Sequence, residues 1–306
     1  MATEAVRVAR RTAAQDRLEA NLARLKKFLL QLVRNKLALA GLIIVLFFLT
    51  IAIAAPLFVG PYPTPLDRDI VPIPPAPPSS AHPLGTDRSG YDILTILVYG
   101  SRISLLVGFA SSAVAMLLGT STGLVSGYYG RQIDQIVSRA TDFFLVIPWL
   151  PFVIVIAAIL GRSLTTTIVA ISLVSWPTTT RVVRSQVLSL KERLFIERAR
   201  AIGAGDGHIL WRHILPNVMP LVFANAVLTV SSAIFTEAFL SFFGLGAPDL
   251  VSWGTMVNDS YTSQAMLRGM WWYFAPPGIC ITLVVLGFSL LSFALEEILN
   301  PRLKQR

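Results

Sequence analysis

Long apolar runs alternate along the chain with shorter charged stretches, and the runs far exceed one face of an amphipathic helix. Stretches almost free of Asp, Glu, Lys and Arg fall near residues 37–59, 103–127, 143–161, 163–180, 216–246 and 270–295. A helix needs about 20 apolar residues to cross a bilayer. In lipid every backbone N–H and C=O must be satisfied within the segment, so such runs are helices. The pattern predicts an all-α membrane protein of six transmembrane helices spread over residues 37–300. The third and fourth runs are short and meet at Arg162; they are read as two spans, with one re-entrant hairpin as the alternative. The fifth run contains a single acid, Glu237, between Arg212 and Asp249. A charge at that depth is costly. Glu237 is therefore a candidate for the substrate path, or else a structural hydrogen-bonding group.

The segments between the runs have their own patterns. In residues 1–36, Leu18, Leu22, Leu25, Leu29 and Leu32 share a helix face opposite Arg17, Arg24 and Lys27. This fits a cytoplasmic amphipathic helix lying against anionic lipid headgroups; a coiled coil is the alternative, although two heptads are few. The loop 60–100 holds nine of the 19 prolines and favours extended backbone over helix. It serves as a spacer or as a contact surface for an external partner. At its end Asp92 is positioned to cap a helix starting at Ile93. The loop 247–270 is edged by Trp253, Trp271 and Trp272, which read as an interfacial aromatic belt.

Composition agrees with a membrane protein. Of 306 residues, 54% are hydrophobic and 14% charged, and the mean hydropathy is +0.65. A soluble domain carries about 25% charged residues. A soluble enzyme, a nucleic-acid binder and a disordered scaffold are thereby disfavoured. The net charge of +9 has a positional explanation. With the amino terminus inside and six spans, 21 of the 26 Lys and Arg fall on the cytoplasmic side, as the positive-inside bias requires, with both termini cytoplasmic. Nucleic acid is not needed to explain the charge. No phosphate-binding G-x-x-x-x-G-K-[ST] occurs, and His82, His208 and His213 have no metal-ligand spacing. The sole cysteine, Cys280, reads as a buried thiol.

The stretch 190–215 is the most informative. Phe195, Ala199 and Ile202 fall on one helix face, and Glu197 is spaced to pair with Arg193 and Arg200. Gly203, Gly205 and Gly207 stop that helix, and Asp206 is placed to cap a second short one running to Leu215. The expected motif is a helix–turn–helix along the membrane with small residues at its corner.

Glu197-Arg198-Ala199, then Gly203, then Leu215-Pro216 resembles the EAA loop of ABC-importer permeases. His82–Asp92 with Tyr99-Gly100-Ser101-Arg102-Ile103-Ser104-Leu105, Glu237–Gly246 with Ser252-Trp253-Gly254, and the tail Leu299-Asn300-Pro301-Arg302 are similar to blocks of dipeptide, oligopeptide and nickel permeases. The resemblance is to the C-type permease subunit. It implies a six-helix fold of the ABC-importer permease type in a bacterial plasma membrane. It also implies half of a heterodimeric pore with a homologous permease, and a binding protein outside. Two ATPase subunits would hold ATP and Mg, and this chain would hold no cofactor. It implies coupling of this chain to those ATPases through Glu197, Ala199, Arg200, Gly203, Ala204 and Asp206, and a transport role without catalysis. Arg198, His213, Tyr91 and Ala294–Glu297 depart from the family pattern. Nickel chelates or another small solute remain alternative cargoes. An ion-coupled secondary transporter and a membrane enzyme are the rival classes; the first is disfavoured by the lack of a clear repeat, the second by the lack of a nucleophile–base pair in the spans.

Overall fold

The computed structural model describes residues 23, 26–62 and 75–299. Arg17, Leu18, Leu22, Arg24, Leu25, residues 63–74 of the proline-rich loop and the tail 301–306 lie outside them. The regular elements among the described residues are helices, with one isolated bridge between Thr86 and Asp92.

Residues 26–34 are helical and break at Asn35. The Asn35 side chain accepts from the Leu37 and Ala38 amides, which caps α1, Lys36–Ile53. Leu32 is buried beside Ala38 and Ala294, whereas Leu29 is exposed. The helix thus gives part of its leucine face to the bundle. The first predicted span divides at Ala54, where Pro56 starts the short α2, Ala55–Val59.

The second helix, α3, covers Ile93–Tyr129, beginning ten residues before the predicted run. The charge-free criterion stopped at Arg102. That guanidinium is satisfied by the terminal carbonyls of α1: Nε donates to Ala52 O at 2.6 Å and Nη2 to Ile53 O at 3.1 Å. It completes one helix end without interrupting the other. Asp92 caps α3, accepting from the Thr95 amide at 2.8 Å.

The third predicted run, 143–161, is not one straight helix. The amphipathic α4, Arg131–Val146, meets α5, Trp149–Leu160, at a bend of 93°. Pro148 forces the preceding residue out of helical geometry, and Ile147 is extended. The 12 residues of α5 rise only about 18 Å. The fourth, α6, runs from Leu164 to Lys191 and takes in Arg181 and Arg184 beyond its predicted end at 180. Both find carboxylates on α4. Arg184 grips Asp134 with two nitrogens, Nη2 to Oδ2 at 2.6 Å, and Arg181 reaches Asp142 at 2.5 Å.

The fifth helix is longer at one end and shorter at the other than the pattern suggested. Asp206–Ile209 (α7) passes through a π-helical turn, Leu210–Ile214, into α8, Leu215–Phe242. Pro216 lacks an amide proton, which favours the irregular turn. After Phe242, Gly244 (φ +72°) closes the helix: Leu245 N bonds to Leu240 O and Gly244 N to Ser241 O. Residues 243–246 are therefore turn. Next come α9, Trp253–Thr262, and α10, Trp271–Leu299. Among the described residues four helices, Lys36–Ile53, Ile93–Tyr129, Asp206–Phe242 and Trp271–Leu299, are each long and apolar enough to span a bilayer, and the bent pair makes a fifth if it is one span. The Thr- and Ser-rich α6 packs along α3 across three glycines. Cβ atoms placed on Gly119, Gly123 and Gly127 would meet Thr179 Cβ at 2.5 Å, Thr180 O at 2.8 Å and Val187 Cβ at 2.8 Å. This small-xxx-small spacing permits close backbone approach where lipid offers no hydrophobic drive between helices.

Trp253 is fully buried, contrary to the belt expected for it, and its indole N–H donates to Leu97 O at 3.0 Å. Trp271 remains 57% exposed. The turn before α3 is stapled to the α9 and α10 region. Arg88 pairs with Asp259 at 2.6 Å, the Tyr273 hydroxyl also donates to Asp259, and the Arg88 amide donates to that hydroxyl. Burial pushes the Asp87 carboxyl above its usual range, although it accepts the Ser89 and Tyr91 amides.

Candidate coupling corner and groove

The stretch between α6 and α7 forms a compact corner. A short helix, Leu194–Ala201, hereafter the corner helix, ends at Ile202, and Gly203 takes φ +87°. Ala204 N bonds to Ala199 O at 3.0 Å and Gly203 N to Arg200 O at 2.9 Å, the paired bonds of a Schellman stop. No atom stands within 4 Å of a Cβ placed on Gly203. Glycine is needed there for its backbone conformation rather than for space.

Of the three residues that share a helix face, Phe195, Ala199 and Ile202, only Ala199 is buried. Ile196 and Ala199 point inward with Ile209 and Ile214, onto Val183 and Val187 of α6 and Val218 of α8. Phe195 is 41% exposed and Ile202 86% exposed. Ala199 is therefore a packing residue, and Ala204 is half-buried against the same cluster. Glu197, Arg198 and Arg200 are exposed, and among the described residues Glu197 forms no ion pair with Arg193 or Arg200. Arg200 instead stands over the Tyr128 ring, 5.6 Å from its centroid. The Asp206 carboxylate does not cap its own helix; Gly205 holds the cap position. Asp206 accepts the Tyr128 hydroxyl at 2.6 Å, and Lys191 donates to Gly127 O at 3.2 Å. The end of α3 is thus tied to the corner from two sides. What the corner offers outward is Leu194, Phe195, Ile202 and Trp211, each exposed, edged by arginines.

Glu237 lies elsewhere. It is 2% exposed. One carboxylate oxygen accepts the Ser104 hydroxyl at 3.0 Å and the other the Ser241 hydroxyl at 2.7 Å. Ser104 Oγ accepts the Trp253 amide at 3.2 Å, so the group joins α3, α8 and the start of α9. A larger groove of about 590 Å³ runs between α5, α6, α8 and α10, and Glu237 does not line it. The Glu237 carboxylate is thus engaged by two hydroxyls within the bundle and does not line that groove.

Among the described residues no three His, Cys, Asp or Glu gather as a metal site. The bundle of long apolar helices defines a multi-pass membrane protein. The chain belongs to the binding-protein-dependent transport system inner membrane component family, whose profile matches residues 119–305. Residues 24–78 match the N-terminal TM domain of oligopeptide transport permease C. The dipeptide transport system permease protein DppC of Alkalihalophilus pseudofirmus is 42% identical over 278 residues, covering 90% of this chain and 88% of the relative. The oligopeptide transport system permease protein OppC of Bacillus subtilis is 38% identical over 285 residues, covering 92% and 90%. An inward-facing structure of the MetNI methionine ABC transporter shares the fold, with TM-score 0.51 and 23% identity over 69% of this chain and 97% of that one. A second crystal form gives TM-score 0.53 at 22% identity, over 70% and 98%.

Proposed function

We propose that this chain is one of two homologous permeases in an ATP-driven importer of di- and oligopeptides. It forms half of the pore, and its corner receives the force of two ATPase subunits that bind ATP and Mg. A substrate-binding protein delivers cargo on the opposite side. The chain itself supplies the path and the lever and carries out no chemistry. The charge bias supports both termini in the cytoplasm, with the corner on that same side.

One observation carries the coupling assignment: an apolar surface exposed on a corner whose inner face is already packed. Leu194, Ile202 and Trp211 are exposed and Phe195, leaning on the His213 ring, stays 41% exposed, while Ile196 and Ala199 beneath are buried. Exposed apolar patches rimmed by polar residues mark protein contacts. Glu197, Arg200, Gly203 and Asp206 shape this surface by charge, stacking, stop and tether. The peptide cargo is supported by relatives named for dipeptide and oligopeptide transport.

The test is uptake of labelled tri-alanine in cells lacking the chain, restored with the native chain or with Ile202→Asp. Ile202 is 86% exposed, so the substitution leaves the fold intact. The native chain restores uptake; Ile202→Asp inserts normally, loses uptake and no longer holds the ATPase chains on purification. Normal uptake by Ile202→Asp refutes the coupling assignment. No uptake with the native chain refutes the peptide cargo.

A further inference from the structure

The groove of about 590 Å³ between α5, α6, α8 and α10 has an unusual lining for a membrane protein surface. It is rich in hydroxyls and holds one amide, and none of its lining side chains is charged. The direction of the hydrogen bonds matters more than the count. Ser175 donates to Ile171 O at 2.8 Å, Thr229 to Asn225 O at 2.9 Å, Ser232 to Leu228 O at 3.3 Å and Thr236 to Ser232 O at 2.8 Å. The Asn225 amide nitrogen donates to Thr179 Oγ1 at 3.1 Å, away from the groove. A hydroxyl has one proton and two lone pairs. With their protons directed at helix carbonyls, these groups offer the groove acceptor oxygens.

We infer that this groove is a water-filled passage for a neutral or charged solute bearing several N–H donors, recognised through its backbone rather than through its side chains. This rests on the importer reading above and deepens it. Lipid tails cannot use acceptor lone pairs, whereas a peptide presents an amide N–H at nearly every residue and an ammonium at its end. An uncharged wall neither repels nor traps acidic or basic side chains, and passage requires contacts weak enough to release. The volume lies in the range of small-ligand sites. The deep carboxylate Glu237 stays outside the groove, consistent with charge being kept off its wall.

The test uses the assembled transporter in membranes. Ser232→Cys and Thr178→Cys, each with Cys280→Ala, are treated with a charged, water-soluble methanethiosulfonate reagent. Phe47→Cys, at an exposed apolar position on α1, is the lipid-facing control. The two groove thiols react and are slowed by tri-alanine, while the control does not react. Groove thiols as inert as the control overturn the proposal. In the second arm, Ser232→Lys is compared with the native chain for uptake of tri-lysine and tri-alanine. A fixed positive charge about 10 Å from a passing ammonium, at an effective dielectric near 20, slows tri-lysine about tenfold relative to tri-alanine. Equal slowing of both peptides overturns selection by an uncharged wall. A native chain that moves neither peptide refutes the peptide cargo, and thiol reactivity still tests the groove independently.

Discussion

Gly123→Ala adds a single methyl group to the middle of α3, and its consequence follows from the distances. That Cβ would lie 2.8 Å from Thr180 O and 2.8 Å from Val183 Cβ. Carbon contacts are optimal near about 3.5–4.0 Å, so the two helices are too close by most of an ångström. Neither neighbour is the far end of a flexible side chain; one is backbone and the other is attached directly to it. The helices must separate locally, and overpacking of this kind costs about 1–3 kcal/mol. Against this, Ala is favoured over Gly within a helix by roughly 0.5–1 kcal/mol. The net expectation is a loss of roughly 0–2.5 kcal/mol, centred just above 1 kcal/mol. Gly207→Ala is the internal control, because nothing lies within 4 Å of its Cβ and only the helix preference remains. Denaturant titration of the purified chain in mixed micelles, followed by circular dichroism, reads both. The two substitutions should move stability in opposite directions. A Gly123→Ala chain as stable as the native one refutes the close-packing account of the α3–α6 seam.

Two further substitutions probe local hydrogen bonding. Glu237→Ala leaves the buried Ser104 and Ser241 hydroxyls without their acceptor, at about 1–3 kcal/mol each; Glu237→Gln keeps one acceptor, loses about 1 kcal/mol and still supports uptake. Abolished uptake by a stably folded Glu237→Gln chain would return this residue to the substrate path. Asp92→Ala removes the cap on the Thr95 amide and lowers stability by about 1 kcal/mol, whereas Asp92→Asn retains most of it; thermal melts of the two in detergent distinguish them.

The helical segments were legible in the sequence because a bilayer leaves backbone groups no other partner. Their limits were less so. A charge-free criterion treats every cation as an edge, but Arg102, Arg181 and Arg184 lie within helices because other elements supply carbonyls or carboxylates to them. Those partners are 39 to 50 residues away in sequence, beyond any local pattern. The bend before α5 has a local signal, Pro148, which apolarity alone does not weigh. The seam glycines at 119, 123 and 127 are likewise visible as a spacing, while their partners on α6 are not. Trp253 illustrates the opposite error. Aromatic belts describe where indoles collect on average, whereas this indole is fixed inside by one carbonyl, Leu97 O. At the corner, the stop at Gly203 was readable from glycine chemistry. Which face turned inward was not, because the choice of Ile196 over Phe195 and Ile202 is made by the valines of α6.

The corner, the groove and the Glu237 latch share one mechanical element. From Asp206 to Phe242 the chain is helical for 37 residues, about 55 Å of rise. Its first turns carry Trp211 beside the exposed corner, its middle lines the groove with Thr229 and Ser232, and its far part carries Glu237. A displacement of the corner therefore reaches the groove wall without crossing a loop. The rod has two compliant points, the π turn at Leu210–Ile214, which carries the corner's Trp211, and Pro220, which lies between the corner and the groove. Beyond Pro220 the helix is regular and held at its far end by the Ser104 hydroxyl, which donates to Glu237 and itself accepts the Trp253 amide. On the coupling reading proposed above, motion entering at the corner would be taken up as bending near Pro220 and as a tilt of the groove-lining segment about the hydrogen-bonded Glu237. On that reading a held far end with a hinged near end would open and close the lateral groove, whereas a uniformly stiff rod would shift both ends together.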